Sequence, residues 1–351
     1  MNVERHHAIE PLLDEWADLH AADDRATPYG SAAWARASAR HGAEARESGE
    51  PWCLTVRDDD GRLVGLMALA RRRRAGMRVL RPFGVEHADC WDVLALPGMR
   101  EAVERRLAAE LRHRSGEWDA LVLTHLAHGA TVAESLTRGG LHARSHDGLP
   151  HPHVALPETF DAYLARFPSE RRRRMRKHLQ PLDRGRVTAR TVPPAEVADA
   201  VACLLDLRQR QWAHVGKALL PALAEERFRG FLTAVATELV PAGLASIVEY
   251  ADEGAPVAVY LDFMDARAFH GFMGGFEAAH ARLEPGKLHI LASIRSSIEA
   301  GREWANLGRG GEDYKQWFRP EPFVSRSVAV TSGRLRSRAA LVAGTLAGRL
   351  R

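Results

Sequence analysis

The stretch GAPVAVYLDFMDARAFHGFMGGFEAAHARLEPGKLHILASIRSSIEAG, Gly254 to Gly301, decides the fold. VAVYLDFM and AFHGFMGGF are apolar runs of strand length with a short break between them. Pro285 and Gly286 then open a helix whose stripe is Leu288, Leu291, Ile294 and Ile298, and Gly301 is its stop. Just upstream, ASIVEYADEG supplies a further strand and an acidic turn with glycine, and EWANLGRG adds another strand downstream.

The same order occurs earlier in the chain. WCLTVRDDDGRLVGLMALARRR is strand, turn Asp58–Gly61, strand, a hairpin signal. MRVLRPFG reads as a further strand, GMREAVERRLAAELRHRS as an amphipathic helix and WDALVLTHL as a buried strand. Each set is preceded by helices: IEPLLDEWADLHAA and SAAWARASARHGAEA in the first, with Ser31 as N-cap, and PAEVADAVACLLDLRQRQWAHVG and LAEERFRGFLTAVATELVPAG in the second. Two copies of one α/β unit follow, of α+β character, with boundaries expected at 1–155 and 156–330. A basic tail helix is expected over 331–351.

The chain has 351 residues, 46% apolar and 27% charged, the composition of a globular protein large enough for two domains. No apolar run is long enough to span a membrane, and MNVERHHAIEPLL lacks a signal-peptide core. Cys53, Cys90 and Cys203 are widely spaced and odd in number, which points to a reducing, cytoplasmic setting without a disulfide framework. His6-His7 and His151/His153 lack companions at metal-ligand spacing, so no metal is expected. No nucleophile elbow, Walker loop or dinucleotide fingerprint is present.

Net charge is only +4, but the basic residues cluster. ERRRRMRKHLQPLDRGR, Glu170 to Arg186, is the densest run, and its arginines surround a helix with no apolar stripe over its first turns. Such a helix is self-repelling unless an anion compensates it, and arginine forks suit phosphate oxygens. No aromatic interleaving accompanies it, so DNA is not indicated. The acid-free tail ending LVAGTLAGRLR reads as a short basic amphipathic helix, packed or frayed rather than inserted in a membrane, with peripheral contact to an anionic membrane surface as the alternative.

Two places carry chemistry. The start of the helix at Pro285 offers free N–H groups and a positive dipole end to an anion, with Lys287 adding charge. Asp262 lies on an apolar strand, sharing a face with Tyr260 and Met264. It is either solvated or turned inward; inward, its pKa rises and it can accept a proton from an amine. Glu249, Glu277 and Glu312 compete for that role.

The ordered motifs resemble the CelD-like acyltransferases of the GNAT superfamily, whose tandem GNAT-like halves are related to Fem aminoacyl transferases. TPYGSAAWARASARH resembles the family opening and SERRRRMRKHLQPL its arginine-rich helix between the halves. EPGKLHILASIRSSIEAG resembles its S-P-G-x-L helix, and NLGRGGEDYKQWF its glycine-rich ending with Tyr-Lys. Asn306 stands where the family usually has Asp, and Glu284 where Ser is common.

The resemblance implies two tandem GNAT-like acyl-CoA N-acyltransferase domains, each a mixed, mainly antiparallel sheet flanked by helices. It implies acyl-CoA, such as acetyl-CoA, as co-substrate, and an amine or hydroxyl acceptor of small-molecule, cell-envelope or secondary-metabolite type. Asp262 is then the candidate base, Tyr314 the proton donor to the leaving group and Lys315 an oxyanion partner. Gly286 and Lys287 would hold the donor's anionic end, and Arg173, Arg174 and Lys177 its phosphates or the acceptor's. The alternatives are a Fem-like transferase using aminoacyl-tRNA, and a non-catalytic binding module.

Overall fold

The computed structural model describes residues 1–41, 49–74, 76–214 and 226–332. The chain divides into two units, Met1–Leu149 with the chain from Val324 onward, and Pro150–Phe323.

In chain order the first unit contains β1 (Asn2–His6), α1 (Leu13–Ala22), α2 (Ala32–His41), β2 (Glu50–Pro51), β3 (Cys53–Arg57), β4 (Leu63–Met67), β5 (Leu69–Arg74) and β6 (Met77–Pro82). It continues through β7 (Leu94–Ala95), α3 (Arg100–His113), β8 (Ala120–Leu126), α4 (Val132–Arg138) and β9 (His142–Pro150). Its strands form one sheet of order β1-β3-β4-β7 and a second of order β2-β5-β6-β8, extended by two further strands. The β3–β4 hairpin turns where the sequence indicates: the Asp58 carboxylate accepts from the N–H groups of Asp60 and Arg62, and Gly61 takes φ +83°. Ser31 caps α2, its Oγ accepting from Trp34 N at 3.1 Å. Helix α3 lies close on β4 at Gly65, where a methyl group would come 2.3 Å from Val103. Trp52, Leu54, Val64, Val103, Leu107 and Trp118 fill the core. At the start of α3, Arg100 donates to both oxygens of the buried Asp23 and reaches Asp92 at 3.3 Å.

The second unit runs β10 (His153–Ala155), α5 (Phe160–Ala165), α6 (Ser169–Asp183), β11 (Val187–Thr191), α7 (Val197–His214), α8 (Glu226–Leu239), β12 (Ala245–Asp252), β13 (Ala255–Met264), β14 (Ala268–Phe276), α9 (Pro285–Glu299) and β15 (Trp304–Asn306). Its sheet has the order β10-β15-β14-β13-β12-β11, antiparallel apart from the parallel pair β14–β15. The first unit has the matching arrangement, with β6 and β8 parallel. Both are mixed, mainly antiparallel sheets flanked by helices, the fold class expected from the sequence.

The ends of the units differ from the expected boundaries. The last described strand, β16 (Val324–Thr331), lies in the first unit's sheet between β8 and β9 and pairs antiparallel with β8. Residues 153–155, counted with the first half on sequence, pair with β15 of the second unit. Pattern and composition cannot distinguish these partners, because an apolar strand carries no mark of the edge it will join. The expected tail helix lies outside the described residues from 333 onward. Among the described residues no helix is long and apolar enough to cross a membrane, and no group of three metal-ligating side chains is found.

Candidate active site

Strand β14 is paired along its length with β13, but with β15 only at Ala268–Trp304, Phe269–Ala305 and His270–Asn306. Beyond His270 the ladder ends, since β15 stops at Asn306, and Gly271–Phe276 presents an edge that β15 does not cover. The ladder's phase fixes which groups face that edge. Glu277 N donates to Val257 O at 2.9 Å, so Val259–Gly275 and Leu261–Met273 are the hydrogen-bonded pairs. Tyr260–Gly274 is the non-bonded pair between them, and the N–H and C=O of Gly274 point to the open edge. Arg208 of α7 donates to that carbonyl from Nη1 at 2.7 Å.

Adjacent glycines admit close neighbours on both faces. A Cβ at Gly274 would lie 2.1 Å from the Tyr260 ring. One at Gly275 would lie 2.7 Å from Arg208 N and 2.9 Å from Leu204 O, so the α7 backbone rests on the opposite face. The Tyr260 ring is thus seated on Gly274, and His289 of α9 stacks on it with centroids 3.9 Å apart and planes 7° apart.

Asp262 is turned inward. It is 3% exposed, and its Oδ2 lies 2.8 Å from His289 Nε2, off the line of an aligned hydrogen bond. Tyr250 completes the group, its hydroxyl 3.1 Å from His289 Nδ1. Burial, then the nearby Asp262 charge, pushes the Tyr250 phenol up, and burial, Tyr250 and Asp262 do the same to Tyr260. Both phenols are therefore neutral donors at physiological pH. The Tyr260 hydroxyl is buried without a hydrogen-bond partner and is aimed at the start of α9, 3.7 Å from where a Cβ on Gly286 would sit.

That start is built by Glu284 in the left-handed region (φ +47°), followed by Pro285 as first helical residue. Lys287 N closes back on Glu284 O at 2.9 Å, while Lys287 Nζ pairs with Glu284 Oε1 at 2.5 Å and lies 5.6 Å over the Trp317 ring. The α6 residue His178 packs beside the same tryptophan, with ring centroids 5.8 Å apart. Gly286 and Lys287 thus occupy the second and third positions of α9, as the sequence indicates. Arg173, Arg174 and Lys177 are exposed on α6, and Arg174 pairs with Glu170. No hydrogen bond or ion pair among the described residues joins these three to Gly286 or Lys287.

The glycine-rich turn after β15 divides its residues between two tasks. Asn306 is buried, accepts from Gly308 N at 2.9 Å and reaches His270 Nδ1 at 3.2 Å, while His270 Nε2 meets Asp265 at 2.8 Å. Asn306 therefore fastens the turn to β14. Lys315, expected as an oxyanion partner, is 3% exposed. Its Nζ donates to the carbonyls of Gly308 (3.1 Å), Arg309 (2.9 Å) and Gly310 (3.2 Å) and contacts Glu312 at 2.8 Å. Its N–H groups are spent on the turn, which is how a buried ammonium is satisfied. Tyr314, in contrast, is 44% exposed. Desolvation of its hydroxyl, then Glu312, raises its pKa against the opposing charge of Arg208.

The sequence reading named Asp262, Tyr314, Gly286 and Lys287 as candidates; it did not name Arg208, Tyr260 as a donor, or His289, which the structure places beside them. His289 had a signal, a polar ring inside the apolar stripe of α9. Arg208 had none, since a single arginine on an amphipathic helix has no distinguishing context.

Residues 169–316 match the acetyltransferase (GNAT) domain family. No curated protein matches the chain. Among solved structures, the chain is similar to FemX, with a TM-score of 0.65 at 9% identity, over 97% of this chain and 99% of that one. It is also similar to the C-terminal domain of a protein assigned as a lysylphosphatidylglycerol synthetase from Agrobacterium fabrum, with a TM-score of 0.56 at 12% identity, over 97% and 98%. A conserved protein of unknown function from Bacteroides thetaiotaomicron aligns with a TM-score of 0.54 at 10% identity, over 94% and 100%. These likenesses are of fold. The second unit thus carries a GNAT acetyltransferase domain, and the chain is an enzyme of the N-acyltransferase class.

Proposed function

We propose that the second unit transfers an acyl group from acyl-CoA to an amine or hydroxyl of a small-molecule acceptor. The observation that carries this reading is the end of the β14–β15 ladder at His270–Asn306, which leaves the rest of β14 without β15 beside it, together with the start of α9 next to the Tyr260 ring seated on that strand. A thioester's amide-bearing arm can pair with such an edge on either side of Gly274, whose carbonyl Arg208 takes, and its anionic end suits a helix N-terminus. In this reading Gly286, Lys287 and the Tyr260 hydroxyl hold the anionic end, and Arg173, Arg174 and Lys177 supply basic charge on α6. The acceptor attacks the thioester carbonyl, a C–N or C–O bond forms and the C–S bond breaks. Tyr314, kept protonated, donates to the departing thiolate. Asp262 is closed off from solvent, and so is His289 beside it, so neither receives the acceptor's proton directly and that proton passes to solvent water. Lys315 holds the turn that presents Tyr314. Calorimetric titration with acetyl-CoA and longer acyl-CoAs tests the reading: saturable binding with a chain-length preference is expected, and no binding of any thioester overturns it.

A second reading keeps the site and changes the donor to an aminoacyl-tRNA, as the Fem-like resemblance implies. The exposed basic face of α6 favours it, since phosphate contacts carry such binding. Steeply salt-dependent binding of charged tRNA, without affinity for acyl-CoA, would select it. Affinity for neither donor would leave the binding-module reading.

A further inference from the structure

Arg208 is an anomaly among the groups at the open edge. Its Nη1 is held by Gly274 O at 2.7 Å, and its guanidinium lies 5.4 Å from the Trp212 ring centroid. Its Nε is shielded from water and has no hydrogen-bond partner. An unpartnered, desolvated N–H on a cation is costly. Among the described residues the carboxylate whose charge reaches Arg208 is that of Glu312, and Lys315 already takes it at 2.8 Å. Burial accordingly lowers the Arg208 pKa, against weaker support from Tyr314, Tyr260 and Glu312.

The neighbouring groups are donors as well. Gly274 turns its N–H to this edge, and the Tyr314 phenol, close enough for its charge to act on Arg208, is kept protonated. Because Arg208 covers the carbonyl of Gly274, the edge offers N–H groups at the level where an uncovered strand would offer an acceptor. A ligand there pairs through oxygens. The guanidinium's remaining side, Nε with Nη2, is the fork that receives two oxygens of a carboxylate or phosphate side by side.

We propose that Arg208 and the edge at Gly274 form an oxyanion-binding site of the second unit, which takes a carboxylate or phosphate group of the substrate in addition to the anion held at the start of α9. The proposal rests on the acyl-transfer reading for its place in the reaction, but not for the binding itself. The close approach of α7 at Gly275 and the seating of Tyr260 on Gly274 hold the backbone in place, so ordering on binding is confined to the Arg208 side chain, whose shielded Nε has to turn outward to meet the ligand.

The test is calorimetric titration of the full chain with malonate and, separately, with inorganic phosphate, in wild type, Arg208→Gln and Arg208→Lys, with acetyl-CoA as a third ligand. At least one anion should bind wild type, about tenfold or more weaker in Arg208→Gln, with Arg208→Lys in between. Malonate preference assigns the site to a carboxylate, phosphate preference to a phosphate group. Trp212 emission should change on binding and be silent in Trp212→Phe, which keeps the test decisive if Arg208→Gln does not fold. Equal affinity in Arg208→Gln, no binding of either anion to wild type, or binding without a Trp212 response would overturn the proposal. Acetyl-CoA separates the two readings. Anion binding without acetyl-CoA binding removes the thioester donor and leaves this site standing, and the reverse removes this site alone.

Discussion

Tyr260 and His289 lie face to face with their ring centroids 3.9 Å apart, and the stack sets the direction of a hydroxyl that has no partner of its own. His289 also stands between that ring and the buried Asp262. Replacing His289 by Ala removes the stack and leaves a carboxylate buried without its partner. A loss of roughly 3–5 kcal/mol in urea unfolding is expected. His289→Asn/Asp262→Asn together, which removes the charge as well, should recover part of it.

Gly274 and Gly275 should respond differently to a methyl group. At Gly274 the obstruction is the Tyr260 ring, a side chain, and at Gly275 it is the α7 backbone. Gly274→Ala should displace the phenol at a cost of about 1–3 kcal/mol, the range for overpacking, and weaken acyl-CoA binding. Gly275→Ala should cost more, because a helix has to move. Melting curves beside donor titrations would separate the two; equal effects would contradict this packing.

Tyr314 and Lys315 adjoin in sequence but should fail in different ways. Tyr314→Phe should lower kcat about 100-fold or more with the melting temperature kept, as loss of a general acid does. Lys315→Met should instead destabilise the turn by roughly 1–3 kcal/mol, since three carbonyls lose their donor. A Lys315 variant with unchanged stability and abolished turnover would restore the oxyanion role expected from the sequence.

In the first unit Asp92 should give stability a pH dependence. Burial raises its pKa to about 6, against the lowering effect of Arg100. The folded state then holds a proton that the unfolded chain has already lost, so stability falls as pH rises from the unfolded value, about 4, through 6. The expected loss is about 3 kcal/mol at most, from roughly two pKa units. Asp92→Asn should flatten that part of the profile in urea unfolding at pH 4 to 7. An unchanged slope would show that Arg100 holds Asp92 ionised throughout.

Local structure was largely readable in the sequence because its causes are local. The turn at Asp58–Gly61, the Ser31 cap and the Pro285–Gly301 helix each carry their own signal in a few residues. The inward turn of Asp262 was readable only as one of two options, since period-two alternation names a face and not what covers it. Arg208 and the pairing of β16 lay beyond reach for another reason. Each depends on a partner far away in the chain, Gly274 for one and β8 for the other. Lys315 shows the reverse case: the motif was found, and its chemistry depended on three carbonyls that sequence does not position.

The pairing of β16 with β8 joins Val330 to Leu121, some two hundred positions apart. Closing so long a loop costs entropy before the contact repays it, and such topologies fold slowly. On the ribosome, the first unit's sheet has to wait with the β8 edge unpaired until the whole second unit has been made. The second unit, one continuous segment from Pro150 to Phe323, needs no later residues and can settle first. Order of synthesis and order of completion are thus inverted. A chain ending at Phe323 would damage the half of the protein that was made first.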